Sequence, residues 1–156
     1  MQILITGTEC TGKSTLAAAL SLSLSFPWLP EYARTYLREQ GPEYTESDLL
    51  KIAQGHHRLV TTYAATHQPH QPLILDTYLL NLKIWSEVKY GACDPWITRQ
   101  LSEAHYDKIF LCVPDLPWVQ DGLRENPEKA EGILPYLMLR FWIARTTFTL
   151  GDRHEW

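Results

Sequence analysis

Cysteine is scarce in this chain, with three among 156 residues: Cys10, Cys93 and Cys112. An odd, scattered set does not make a disulfide framework and fits reduced thiols in a cytosol. Basic charge is not in excess either: 14 Lys and Arg face 18 Asp and Glu, a net charge of -4. That excludes the basic stripe through which proteins hold nucleic acid. No apolar run approaches the roughly 20 residues that cross a bilayer. No basic-apolar-small leader is visible, since Met1 is followed directly by Ile3-Leu4-Ile5 and then Gly7. These absences point to a cytoplasmic protein without a membrane or nucleic-acid partner. They leave the oligomeric state open, a homo-oligomer included. Hydrophobic residues make up 45% of the chain and aromatics 12%, enough for one core spanning a single domain, 1–156.

No internal repeat is present, and the hydrophobic pattern alternates between two periods. Gln2–Thr6 is a short apolar run that stops at glycine. Leu16, Ala19 and Leu20 fall at helical spacing, so a helix is expected from Lys13 to about Ser23, although Leu20–Phe26 also alternates with period 2. A short strand is expected at Phe26–Leu29. Thr45 and Asp48 have capping-box spacing, and Leu49, Ile52, Ala53, Leu59, Val60 and Tyr63 continue as a helix. Pro72–Asp76 reads as a strand, Leu80, Ile84 and Val88 as a helix, and Lys108–Val113 as a further strand. Asp121–Glu131 is charged and contains Gly122 and Pro127, which suggests a lid within about 115–130. Leu134, Leu137, Met138, Phe141 and Trp142 form an apolar helix face, and Thr146–Leu150 a last strand. Wholly apolar strands alternating with helices indicate an α/β fold with a parallel sheet covered on both faces. Five strands are expected. The helix that should follow the fifth is missing, because only five residues follow Gly151.

The chemistry is concentrated in Gly7-Thr8-Glu9-Cys10-Thr11-Gly12-Lys13-Ser14, a complete G-x-x-x-x-G-K-[ST] between an expected strand and an expected helix. The glycines let successive backbone N–H groups turn inward toward phosphate oxygens. The helix N-terminus adds partial positive charge there. Lys13 is suited to the β- and γ-phosphates, and the Ser14 hydroxyl is a hard oxygen ligand for Mg²⁺. The expected nucleotide-binding set is Gly7, Thr8, Glu9, Cys10, Thr11, Gly12, Lys13, Ser14 and Thr15, with ATP and Mg²⁺ as cofactors. Within the loop, the Cys10 backbone N–H is expected to matter more than its sulfur.

Phosphoryl transfer needs more: a carboxylate for the metal, another for the acceptor's proton, and a cation over the migrating group. Asp76 ends an apolar strand and is the candidate for the metal, with a helix N-cap as its plainer role. Glu31 follows the second strand, three residues before Arg34, and a helix-start ion pair is its plainer role. Arg124 lies in the charged loop and could be an ordinary solvated arginine. His56, His57 and Trp85 read as packing or surface residues.

Gly7–Ser14, Pro30–Tyr36, Ala53–Arg58, Leu75–Thr77 and Trp118–Arg124 together resemble a known family, the ribosylnicotinamide kinase domain of NadR-type proteins. Gly7–Ser14 resembles its G-x-E-S-[ST]-G-K-S loop. Pro30-Glu31-Tyr32-Ala33-Arg34-Thr35-Tyr36 resembles its E-Y-[GA]-R segment, and Ala53-Gln54-Gly55-His56-His57-Arg58 its A-x-G-[HQ]-x-R helix. Leu75-Asp76-Thr77 matches the start of D-T-D, with Tyr78 in place of the second aspartate. Trp118-Val119-Gln120-Asp121-Gly122-Leu123-Arg124 matches W-V-x-D-G-L-R. The resemblance implies a three-layer P-loop fold of the nucleoside and nucleotide kinase type, strand order 2-3-1-4-5. It also implies phosphorylation of the 5′-hydroxyl of nicotinamide riboside. Lys13, Glu31, Asp76 and Arg124 are then the expected catalytic set, with Glu31 or Asp76 as base, and Ser14 and Asp76 the metal ligands. The expected substrate set is Glu31, Tyr32, Arg34, Tyr36, Asp76, Tyr78, Trp118 and Asp121; aromatic faces there would attract a cationic pyridinium. A kinase for another nucleoside or nucleotide, or a regulatory P-loop protein without kinase activity, are the alternatives.

Overall fold

The computed structural model describes residues 1–67, 71–117 and 119. Four strands, β1 (Gln2–Gly7), β2 (Trp28–Leu29), β3 (Leu73–Asp76) and β4 (Lys108–Cys112), form one parallel sheet in the order β2-β3-β1-β4. This is the expected 2-3-1-4 arrangement. The expected fifth strand at Thr146–Leu150, the helix at Leu134–Trp142 and the lid at Asp121–Glu131 lie outside the described residues. Five helices connect and cover the strands: α1 (Lys13–Leu24), α2 (Tyr32–Gln40), α3 (Glu46–Thr66), α4 (Leu79–Tyr90) and α5 (Pro95–Glu103).

Strand side chains alternate between faces, and both faces here are apolar. Leu4, Leu73, Leu75 and Ile109 point to one side and pack with Leu49, Ile52, Leu79, Ile84 and Ile97 from α3, α4 and α5. Ile3, Ile5 and Ile74 point to the other and pack with Ala17 of α1, flanked by Leu16 and Leu20. The Leu20–Leu24 stretch is helical despite its period of 2, and Leu22 is left 84% exposed. Helix formation continues through it because nothing in the stretch breaks the ladder begun at Gly12. The chain turns only at Ser25, in a left-handed conformation.

Other expectations are sharpened. The second strand is Trp28–Leu29 only. The α3 capping box is formed, with Thr45 N–H donating to Asp48 Oδ2 at 2.9 Å. Leu59 and Val88, assigned to buried helix faces by spacing, are exposed in α3 and α4. Helix α5 was not anticipated. Asp94 caps it by accepting from Trp96 N–H at 2.8 Å, and Pro95 supplies the first helical residue, where its missing N–H costs nothing.

Register fixes where the chemistry sits. Ile5 pairs with Asp76 across β1–β3, and Gly7 with Cys112 across β1–β4. The carboxyl ends of β3, β1 and β4 therefore fall within two residues of one another, at the edge where parallel α/β sheets place their ligands.

Candidate active site

The loop after β1 is built for close approach. A Cβ on Gly7 would lie 2.3 Å from the Cys112 carbonyl oxygen, so no larger residue fits beside β4. Cys10 and Gly12 both adopt left-handed backbone, φ 60° and 76°. Such turns direct neighbouring N–H groups into a concavity suited to anions. Gly12 stands at the N-cap of α1 without any side-chain cap, and the first turn carries no acid. The N–H groups at the start of α1 thus lack the side-chain acceptor that most helices provide, and they suit a phosphate.

Lys13 is folded back, its ammonium donating to the Thr8 carbonyl. Burial pushes its pKa down, while Glu31 and Asp76 nearby oppose that. Asp76 is 1% exposed. Burial raises its pKa, a hydrogen bond from Ser14 and the charge of Lys13 lower it, and Glu31 raises it further. Its Oδ1 has no hydrogen-bond partner. A buried carboxylate oxygen left open beside a serine hydroxyl fits Mg²⁺, which takes few protein ligands and completes its shell with phosphate oxygens and water. Among the described residues there is no cluster of three or more His, Cys, Asp or Glu that could hold a metal alone. Ser14 and Asp76 thus fit a cation only together with a bound phosphate.

Glu31 occupies the N-cap of α2, and its Oε2 accepts from Arg34 Nε at 3.0 Å. Two depressions meet at this pair. The P-loop side is lined by Cys10–Thr15 with Glu31 and Arg34. The other is a cleft walled by Gly7, Glu9, Lys13, Glu31 and Arg34 at one end and by Tyr44, Leu49, Ile52, Leu82 and Trp85 at the other. Lys13, Glu31 and Arg34 are common to both.

The remaining expected residues divide. Tyr78 lines the cleft, 4% exposed, its hydroxyl 2.8 Å from His57 Nδ1, and burial pushes its pKa up to about 12. Tyr32 does not line this cleft: its ring packs against α3, where a Cβ on Gly55 would come within 2.1 Å of it. Tyr36 is turned away as well, its hydroxyl donating to Asp48 Oδ1 at 2.7 Å at the start of α3. Both placements have one cause, since α2 packs its tyrosine side on α3 and presents Ala33, Arg34 and Leu37 to the cleft. The Cys10 sulfur is engaged as well, accepting from Val119 N–H at 3.1 Å and donating to the Pro117 carbonyl at 3.4 Å. Trp118, Asp121 and Arg124 lie outside the described residues.

Asn81 is a site residue that the sequence does not single out, and His56 is one that it gives only a packing or surface role. Asn81 accepts from Thr6 Oγ1 at 2.7 Å and donates to the Gly7 carbonyl at 3.0 Å, which ties α4 to the root of the P-loop. Its signal was a lone amide in an apolar helix just after the Asp76 strand. His56 is in the cleft wall, 2% exposed. Only its helical spacing from Leu49 and Ile52 could have placed it there.

Comparison with known proteins agrees with this architecture. A family model described as an AAA domain matches residues 2–137. The trifunctional NAD biosynthesis/regulator protein NadR of Salmonella typhimurium is 28% identical over 128 residues, 78% of this chain and 30% of that protein. The chain thus spans under a third of that relative's length. The crystal structure of a NadR protein in complex with NR superposes with a TM-score of 0.79 at 19% identity, covering 99% of this chain and 46% of that one. A deoxyadenosine kinase from M. mycoides superposes at 0.60 with 15% identity, covering 97% and 90%. The loop, the parallel sheet order and the matched 2–137 span together make this chain a member of the AAA-domain family, with a P-loop kinase-like α/β fold.

Proposed function

We propose that this protein is an ATP-dependent kinase that phosphorylates the 5′-hydroxyl of nicotinamide riboside, giving nicotinamide mononucleotide. The observation that carries the reading is the junction at Lys13, Glu31 and Arg34, where a phosphate-type loop and a separate aromatic-ended cleft open onto one another. A nucleotide hydrolase needs only the first depression; a kinase needs a second for its acceptor. The NR complex of the NadR neighbour and the NadR relative favour this particular acceptor. The deoxyadenosine kinase neighbour keeps other nucleosides in the comparison set.

The residues then divide the work. Backbone N–H groups from Cys10 to Ser14 hold the phosphates, and Lys13 exchanges its bond to Thr8 for phosphate oxygens. Mg²⁺, held by Ser14 and Asp76, would supply charge neutralisation along the phosphates. Glu31 holds the acceptor hydroxyl in line and receives its proton, since Asp76 is buried beside Ser14 and suits the cation. Arg34 fixes Glu31 and meets the transferred group. Positioning of this kind is most of what phosphoryl transfer asks of a protein. Trp85 and Tyr78 line the cleft as aromatic neighbours for a cationic ring, while the Tyr44 ring carries the Lys89 ammonium 3.6 Å from its centroid. Arg124, on a lid, would add charge over the migrating phosphoryl.

The test is a product assay with ATP, Mg²⁺ and nicotinamide riboside, run beside adenosine, uridine, guanosine and their deoxy forms. Nicotinamide mononucleotide as the preferred product supports the reading. Preference for another nucleoside would move the acceptor and keep the kinase. ATP binding without transfer to any of them would point to the regulatory alternative.

A further inference from the structure

His56 is the one histidine of the cleft wall, and its Nε2 is buried without a hydrogen-bond partner. Unpaired buried polar atoms are uncommon because burial strips them of water without compensation. The imidazole is also neutral at ordinary pH, since burial alone depresses its pKa to about 4. It is therefore a buried hydrogen-bonding group without charge in a site whose polar end is otherwise ionic.

Its place in the cleft can be ordered. Leu49, Ile52 and His56 run along one face of α3, at steps of three and four residues, and all three line the cleft. The aromatic end, with Tyr44 and Trp85, is at the Leu49 end of this row. His56 is at the other end, between Tyr32 at 6.4 Å and Tyr78 at 5.1 Å between ring centroids. Tyr32 directly follows Glu31, and Tyr78 is two residues beyond Asp76. An acceptor with its 5′-hydroxyl at Glu31 and its planar base toward Trp85 would lay its sugar along the wall that Leu49, Ile52 and His56 form. A hydroxyl both donates and accepts, so it pairs with Nε2 in either tautomer. We propose that His56 hydrogen-bonds a secondary hydroxyl of the acceptor's sugar and makes this cleft select ribosides over deoxyribosides. This rests on the acceptor cleft assigned above but not on which base it takes.

A site built around a sugar hydroxyl leaves a buried polar atom unpaired when that hydroxyl is absent, which is why such sites discriminate strongly. The experiment measures both binding by calorimetry and kcat/KM by product assay. It uses nicotinamide riboside, adenosine, 2′-deoxyadenosine and 3′-deoxyadenosine, with the full chain and its His56→Leu and His56→Gln variants. The expected result is that the parent favours adenosine over one deoxy form by about 10–100-fold, the ratio that one unpaired buried polar group produces. His56→Leu should cut that ratio to within about threefold by losing the riboside alone, and His56→Gln should restore part of it. Equal binding of adenosine and both deoxy forms by the parent would overturn the inference without any variant. So would an unchanged ratio in a folded variant. Ribosides that bind selectively but are not phosphorylated would sink the kinase reading and leave this one standing. Failure to bind any riboside would sink both.

Discussion

Replacing Asp76 by Asn should make the unliganded protein more stable while abolishing the Mg²⁺-dependent part of its response to ATP. Asp76 is 1% exposed, and its Oδ1 is unpaired. The direction of its pKa shift already includes the attraction of Lys13 and the Ser14 bond, and it is still upward. The charged form is therefore disfavoured in the fold on balance. A raised carboxylate pKa means the folded state binds the proton more tightly than the unfolded one. Stability is then lost as pH rises from the ordinary value of 3.8 through the folded value, and the full penalty is present above that value. Asparagine keeps the shape and removes the charge. For 156 residues the unfolding entropy is about 0.3 kcal/mol/K, so each ~1 kcal/mol recovered raises Tm by about 3 °C. Saturating ligand acts oppositely in the two proteins. At a hundredfold excess over Kd it adds about 2.7 kcal/mol, or about 8 °C, to the parent. In the variant only a Mg²⁺-independent remainder should survive. Differential scanning fluorimetry with ATP, with and without Mg²⁺, reads both effects. A fall of several degrees in the unliganded variant, with the Mg²⁺-dependent shift intact, would refute the assignment of Asp76 to the cation and make it a structural group.

Glu31→Gln should lower kcat by about 10²–10⁴-fold with ATP affinity little changed, and steady-state kinetics within twofold of the parent would exclude it as the base. Lys13→Ala should lose turnover but keep its unliganded Tm, because Lys13 is buried at a cost that its removal relieves; a collapse in Tm would make it structural. His56 gives a pH signature: with a folded pKa of about 4 against 6.5, the unfolded chain binds its proton first, so about 3 kcal/mol of stability should vanish between pH 7 and pH 4. Denaturant titrations of parent and His56→Gln at those two pH values should differ by that slope, and parallel curves would contradict the burial. Gly55→Ala should destabilise by about 1–3 kcal/mol through collision with the Tyr32 ring, measured by urea midpoint.

What the sequence made legible follows from how local each signal is. The P-loop and the Asp76 strand end could be read because strand, glycine turn and helix are adjacent in the chain. The order of the four described strands came only with the family resemblance, since pairing is a matter of contact between distant segments. The cleft was only half legible for the same reason. Glu31 and Arg34 were visible as a pair, but which side of α2 faces α3 depends on Gly55, twenty-odd residues on, receiving the Tyr32 ring. Tyr32 and Tyr36, expected at the substrate, make contacts with α3 that their position in the chain did not announce. Asn81 was invisible because its meaning lies in two atoms of β1. The α5 helix, by contrast, was present in the Asp94-Pro95 pair and was passed over because its apolar positions are few.

The same residues that shape the site also strain it, and the strain has an identifiable use. Thr77 is left-handed at φ 62°, an uncommon state for a β-branched residue that costs on the order of 1–3 kcal/mol. Its N–H is nevertheless satisfied, donating to the Ile5 carbonyl at 2.8 Å, which completes the β1–β3 ladder one residue past Asp76. Two effects follow from that single bend. The strand cannot continue, so Asp76 is its last member and stays level with Ser14 and the loop. The chain also reverses direction at once, which puts Tyr78 into the cleft wall and starts α4 early enough for Asn81 to reach Thr6 and Gly7. A relaxed, extended residue at position 77 would carry the strand outward and move both. The strain is sustained because α4 is anchored elsewhere, by the buried Leu79, Leu80, Leu82 and Ile84. Core packing on one side of the helix thus holds the geometry that the carboxylate and the loop need on the other.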